Sequence, residues 1–174
     1  PDWDEDSPRL RENLTRVLGW IRDAARRREL PTVQAARRWH ADMMQGLDPE
    51  DPDIRKHFRG VFRGERGLDS YNVRVGRNVA IPAEDVAGAL RAFERHLHRE
   101  VRRLDAKVAP DAEPDAAALR EILNLCAWAH AEWVRIHPFA NGNGRTARLW
   151  ANAIFMRYGI EPVMIPYGAE FPAE

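Results

Sequence analysis

The chain has 174 residues and a mass of 20.0 kDa, with 27 basic side chains against 27 acidic ones. That length suits one domain, and one of this size buries about 70% of the surface its unfolded chain would expose. A formal net charge of zero argues against a protein whose task is to coat nucleic acid or an anionic membrane.

The basic residues are unevenly chosen: 25 are arginine, and only Lys56 and Lys107 are lysine. Coding bias explains most of this, but arginine is also the side chain whose planar fork grips phosphate. Cys126 stands alone and cannot form an internal disulfide, which fits a reducing compartment. No apolar run nears the roughly 20 residues of a membrane span. The opening PDWDEDSPRL is acidic and lacks the basic-then-apolar order of a signal peptide. A soluble, cytoplasmic single domain is expected, with neither nucleic acid nor membrane as partner. The absence of an initiator Met fits a trimmed chain.

The chain reads as mostly helical. Leu10, Leu14, Val17, Leu18, Ile21, Ala24 and Ala25 form one stripe, predicting a helix over 8–28, with Ser7 as its N-cap and Pro8 at its first position. A second helix is expected from Thr32 to Gln45, with Val33, Ala36, Trp39, Met43 and Leu47 inward and Gly46 at its stop. The glycine-rich FRGVFRGERG should be loop. Val73 and Val75, then Val79 and Ile81, alternate about Gly76 and predict two short strands with a tight turn. Pro82, Glu84 and Asp85 open a helix reaching about Leu104, with Val86, Leu90, Phe93, Leu97 and Val101 inward. Another helix runs from about Asp115 to Val134 and is apolar on more than one face, through Leu119, Ile122, Leu123, Cys126, Trp128 and Trp133, so it should be central. A last helix spans about Arg145 to Tyr158, and Gly159 stops it.

Chemistry concentrates in HPFANGNGRTAR, residues 137–148. Glycines just before a helix let successive backbone N–H groups converge, and the helix start adds unpaired N–H groups and partial positive charge. Arg145 and Arg148 fall on the first turn, on nearly the same face, where they can clamp phosphate oxygens. Asn141 and Asn143 add amides, and His137 at the entrance is a natural general base for an attacking hydroxyl. A polyphosphate cradle beside a base suggests nucleotidyl or phosphoryl transfer. His96 and His98 lie two apart on a helix and do not share a face, so they are not read as a metal site.

These twelve residues strongly resemble the signature of the Fic family, His-x-Phe-x-(Asp/Glu)-Gly-Asn-Gly-Arg-x-x-Arg. The likeness extends over roughly residues 30–165, and FRGVFRGER lies where the family often has Gly-x-(Phe/Tyr)-Arg. The resemblance implies an all-α Fic fold, a bundle of about six to eight helices with a small β-hairpin flap. It divides the chain into an N-terminal helix over 1–29, packed on a Fic domain over 30–174. It also implies a protein adenylyltransferase that moves AMP from ATP to a Ser, Thr or Tyr hydroxyl of a target protein. In that role His137 would deprotonate the hydroxyl, and Gly142, Asn143 and Gly144 would hold the α- and β-phosphates. Arg145 would take the β-phosphate, Arg148 the γ-phosphate, and Phe139 would anchor the loop. The hairpin near Tyr71–Pro82 would pair with target backbone by strand addition. The family's metal-binding acid is Asn141 here, so Mg²⁺ would gain only a neutral oxygen and rest mainly on phosphates and water. Phosphoryl transfer, transfer of another nucleotide and a non-catalytic nucleotide-binding module are the competing readings.

Many members are silenced by a helix of pattern (Ser/Thr)-x-x-x-Glu-(Gly/Asn) whose Glu meets the second motif Arg. Glu12, followed by Asn13, is the partial match, although Pro8 stands where Ser or Thr is wanted. The readings left open are a solvated Glu12, a degenerate inhibitory helix with Glu12 against Arg148, and an antitoxin-like inhibitor acting in trans.

Overall fold

The computed structural model describes residues 7–49, 51–54, 56–75 and 78–162. Among them are five α-helices: α1 (Pro8–Arg26), α2 (Val33–Met43), α3 (Val86–Asp105), α4 (Ala116–Ile136) and α5 (Asn143–Arg157). This is fewer than the six to eight the resemblance implies, and a short 3₁₀ turn at Ala83–Asp85 leads into α3. None of these helices is long and apolar enough to cross a membrane.

Local chemistry explains the helix starts. The first-turn N–H groups of a helix have no partner within it. Thr32 accepts from the Ala35 N–H at 3.0 Å, and Asp115 accepts from Ala118 at 2.8 Å. Pro8 opens α1, where its missing donor is no loss. Ser7 stands at the N-cap of α1, but its hydroxyl makes no capping bond.

α4 packs between α3 and α5, and α1 lies across α5 and α2. Val17 and Ile21 of α1, Phe93 of α3, Ile122 and Trp133 of α4, and Trp150 and Ile154 of α5 belong to one apolar cluster. The stripe of α1 therefore joins the same core as the helices after it. Two expectations of burial differ. Leu119 and Leu123 of α4 face solvent because α3 and α5 cover only its other sides, and Trp20 of α1 is also exposed. Cys126 is buried, and loss of solvent pushes its thiol up to about 12, which leaves it chemically quiet. Asp105 ties three segments together by accepting from Arg28 at 2.8 Å, Arg157 at 2.6 Å and the Tyr158 hydroxyl at 3.1 Å.

Between α2 and α3 the chain makes turns and one pair of two-residue strands, β1 (Arg74–Val75) and β2 (Asn78–Val79). They are antiparallel, with Arg74 opposite Val79 and Val75 opposite Asn78, and Ala80 N–H adds a bond to the Val73 carbonyl at 3.1 Å. The strands are shorter than the alternation of Val73 to Ile81 suggests. The turn Gly76–Arg77 lies outside the described residues, as do residues 163–174 at the end of the expected domain and the acidic residues 1–6.

Candidate active site

His137 caps α4 in the left-handed conformation, φ 51° and ψ 58°. A side chain with a Cβ pays about 1–2 kcal/mol there, so the surrounding structure must hold it. The turn swings the imidazole off the helix axis while the backbone N–H still bonds Trp133 at 2.8 Å. Nδ1 lies 3.2 Å from the carbonyl oxygen of Val134. A carbonyl only accepts, so Nδ1 carries the proton and Nε2 keeps its lone pair. Burial lowers the pKa of the ring from its ordinary value; the Val134 bond opposes this, and the nearby Arg63 charge adds to it. The ring is therefore neutral at neutral pH with Nε2 ready to accept a proton.

The loop after His137 is locked from below. Phe139 is fully buried. Its ring stacks on His40 of α2 at 3.8 Å and tilts against Phe62 at 4.8 Å. Its backbone is bracketed by the buried Asn143 side chain, which accepts from the Phe139 N–H at 2.9 Å and donates to its carbonyl at 2.7 Å. Asn143 thus turns its amide inward, and what it can offer a phosphate is its backbone N–H. His40 closes the bracket: Nδ1 accepts from Gly60 N–H at 2.9 Å, and Nε2 donates to the Asn141 carbonyl at 2.9 Å.

α5 begins at Asn143, two residues before the expected Arg145. Of the two motif glycines only Gly142 needs a positive φ, 77°, whereas Gly144 is already helical. The first helical bond runs from Thr146 N–H to Gly142 at 3.0 Å, so the N–H groups of Asn143, Gly144 and Arg145 have no partner within the helix. Together with the helix dipole they form an anion site. A Cβ added at Gly144 would meet only the Arg148 guanidinium, at 4.0 Å, so bare backbone faces that cation. Arg148 is half-buried; burial lowers the pKa of His130 on α4, and the Arg148 charge adds to it.

The expectation that Arg145 and Arg148 share a face needs correction. Arg145 is buried and sends Nη1 to Met44 Sδ at 3.3 Å, beneath α2, while Arg148 lies over the first turn of α5. Positions three apart on a helix differ by roughly 60° in direction, enough for packing to send long side chains separate ways.

Asn141 is half-buried, and its backbone rather than its side chain carries the bond to His40. Glu12 is exposed on α1 and bonds to no described residue, Arg148 included. The next residue, Asn13, is the one that faces inward, donating to the carbonyls of Met43 at 3.0 Å and Gln45 at 2.8 Å. One step along a helix turns a side chain by about 100°, which points Glu12 away.

Two residues received no role in the sequence reading. His40 follows the inward Trp39 and sits four positions after Ala36, so a polar residue within an apolar stripe was its signal. Arg63 ends the Gly60-Val61-Phe62-Arg63 element and is 1% exposed, a burial that composition could not reveal. It donates to the carbonyls of His137 at 2.7 Å and Ile136 at 2.9 Å.

The domain is helical, and it sets an imidazole, a glycine-opened helix start and the Arg148 guanidinium along one loop, an arrangement that suits an anion. The Fic/DOC family model matches residues 30–155, and the chain belongs to that family. It is 38% identical over 132 residues to "Protein adenylyltransferase Fic" of Drosophila persimilis, covering 73% of this chain and 23% of that protein. The proteins of the same name from Drosophila virilis and Drosophila melanogaster are 37% and 32% identical over 132 residues, again 73% of this chain and 24% of theirs. The chain thus spans about a quarter of the length of these curated relatives.

Proposed function

We propose that this chain is a protein adenylyltransferase that moves AMP from ATP to a hydroxyl side chain of a target protein. The observation that carries the reading is the Nδ1 bond to Val134, which leaves Nε2 of His137 as the base at one end of the loop whose other end is the start of α5, where Gly144 is exposed. In this reading His137 Nε2 takes the hydroxyl proton as the oxygen attacks the α-phosphorus. The bond from that phosphorus to the bridging oxygen breaks, and pyrophosphate leaves. The N–H groups of Asn143, Gly144 and Arg145, together with Arg148, carry the phosphate charge. The family relatives' printed activity supports the same class of reaction.

Mg²⁺ is the ion such a reaction calls on, and it neutralises phosphate charge when bound. The residues fit it only weakly. The described residues hold no group of three His, Cys, Asp or Glu side chains, and Asn141 supplies a neutral amide. The ion would rest on phosphates and water, with Asn141 as its one protein ligand in the loop. The target would dock along the β1–β2 hairpin, where Val79 is 67% exposed.

The test is labelling of lysate proteins with α-labelled or γ-labelled ATP, with His137→Ala as control. Label from the α-phosphate alone, lost in the variant, supports adenylylation. Label from the γ-phosphate alone replaces the reading with phosphoryl transfer, and none from either, repeated across several nucleotides, replaces it with a nucleotide-binding module or a locked state.

A further inference from the structure

Arg63 is a fully buried cation with no carboxylate partner among the described residues. A buried charge must be satisfied or it is expelled, and here backbone carbonyls do the work. On one side Nε donates to His137 at 2.7 Å and Nη2 to Ile136 at 2.9 Å. These carbonyls belong to the C-terminal end of α4, where helical carbonyls lack partners and the dipole is negative. On the other side Nη2 donates to Ile81 at 2.9 Å and Nη1 to Tyr71 at 3.3 Å. Those two residues flank the β1–β2 hairpin. The Arg63 backbone N–H adds a bond to Pro138 at 2.7 Å, and Phe62 bridges Phe139.

We propose that Arg63 is a positioning residue that fixes the hairpin and the His137 turn to one another, so that the segment docking the target and the base are set by a single side chain. This rests on the adenylyl-transfer reading for its consequence in catalysis, but the linkage itself is a property of the fold. Left-handed backbone at His137 needs an outside hold, and the guanidinium supplies it from both adjoining carbonyls. Only a planar fork reaches four carbonyls in two directions; a lysine ammonium is one point with three donors.

Native-state hydrogen exchange in low urea tests the linkage, with the His137 and Phe139 amides reporting on the loop and the Ala80 and Ala83 amides on the hairpin. In the wild-type protein the two sets should open together, with one free energy and one urea dependence. In Arg63→Lys they should separate, the hairpin opening at lower urea. With α-labelled ATP, Arg63→Lys should lower the labelling kcat about tenfold or more while KM for ATP stays within about threefold, because the cradle on α5 is untouched. Wild-type sets that open separately, coincident opening that persists in Arg63→Lys, or a wild-type kcat in that variant would each overturn the inference. Should Arg63→Lys fail to fold, the wild-type exchange alone decides it. Absence of α-label in the wild-type protein would remove the catalytic reading and leave the exchange arm to judge the linkage.

Discussion

His40 Nε2 donates to the carbonyl of Asn141, a residue 101 positions away, at 2.9 Å. With Nδ1 accepting from Gly60 and the ring stacked on Phe139, this neutral imidazole is the hinge pin between α2 and the motif loop. Its protonation would place a second proton against the Gly60 N–H. Burial, reinforced by the charges of Arg145 and Arg59 and only partly opposed by the Asn141 bond, pushes its pKa down to about 3.

The sign of the linkage follows. The folded protein refuses a proton that the unfolded chain accepts below the ordinary value of 6.5. Stability from His40 is complete above that value and erodes as pH falls towards about 3, by up to about 1.4 kcal/mol per pH unit. His40→Phe keeps the stack but strands the Gly60 N–H and the Asn141 carbonyl, at a loss of about 2–4 kcal/mol near pH 7.5. Urea unfolding at pH 7.5, 6 and 5 should show a shallower acid decline in the variant than in the wild-type protein. Parallel declines would dismiss the account.

The two motif glycines should respond in opposite directions. Gly142 has φ 77°, and a Cβ there would meet His40 Nε2 at 3.2 Å, so Gly142→Ala should destabilise by about 1–3 kcal/mol. Gly144 is helical and open, so Gly144→Ala should stabilise by about 0.5–1 kcal/mol. Its methyl would nevertheless cover the bare turn beside Arg148 and weaken ATP binding by about tenfold or more. Thermal unfolding paired with calorimetric titration of ATP checks both. A Gly144→Ala protein binding ATP like the wild type would show that phosphate does not sit on that turn.

The proposed role of His137 makes a prediction in pH. Burial, aided by Arg63 and opposed by the Val134 bond, lowers the pKa of His137, so its deprotonated form persists below the usual imidazole value of 6.5. The α-label rate should be flat through neutral pH, and its acid limb should fall below 6.5. His137→Ala should lower the rate by about 10²–10⁴-fold while ATP affinity changes little. A limb at or above the usual value would mean the ring is more exposed, or differently paired, during reaction.

Asn141→Asp replaces a neutral oxygen with a charged one at the family's acid position. The Mg²⁺ concentration for half-maximal labelling should fall about tenfold, since a carboxylate is the harder ligand. An unchanged Mg²⁺ requirement would remove Asn141 from the ion's surroundings.

What the sequence by itself determined is local. The stripes of α1, α2 and α3 were legible because a helix repeats its buried face every three or four residues. The candidate site was legible because the proposed base, the glycines and both arginines fall within HPFANGNGRTAR, whose order alone implies a loop opening a helix. The tertiary structure decided which of those groups face outward and what holds them. Arg145 goes under α2, Asn143 turns inward to Phe139, and Glu12 stays in solvent. His40 and Arg63 reach the loop from far along the chain by bonding backbone carbonyls. Every residue carries a carbonyl, so no pairing pattern in the sequence marks such a partner. Only the packing of α2 and the Gly60–Arg63 turn against the end of α4 brings donor and acceptor together.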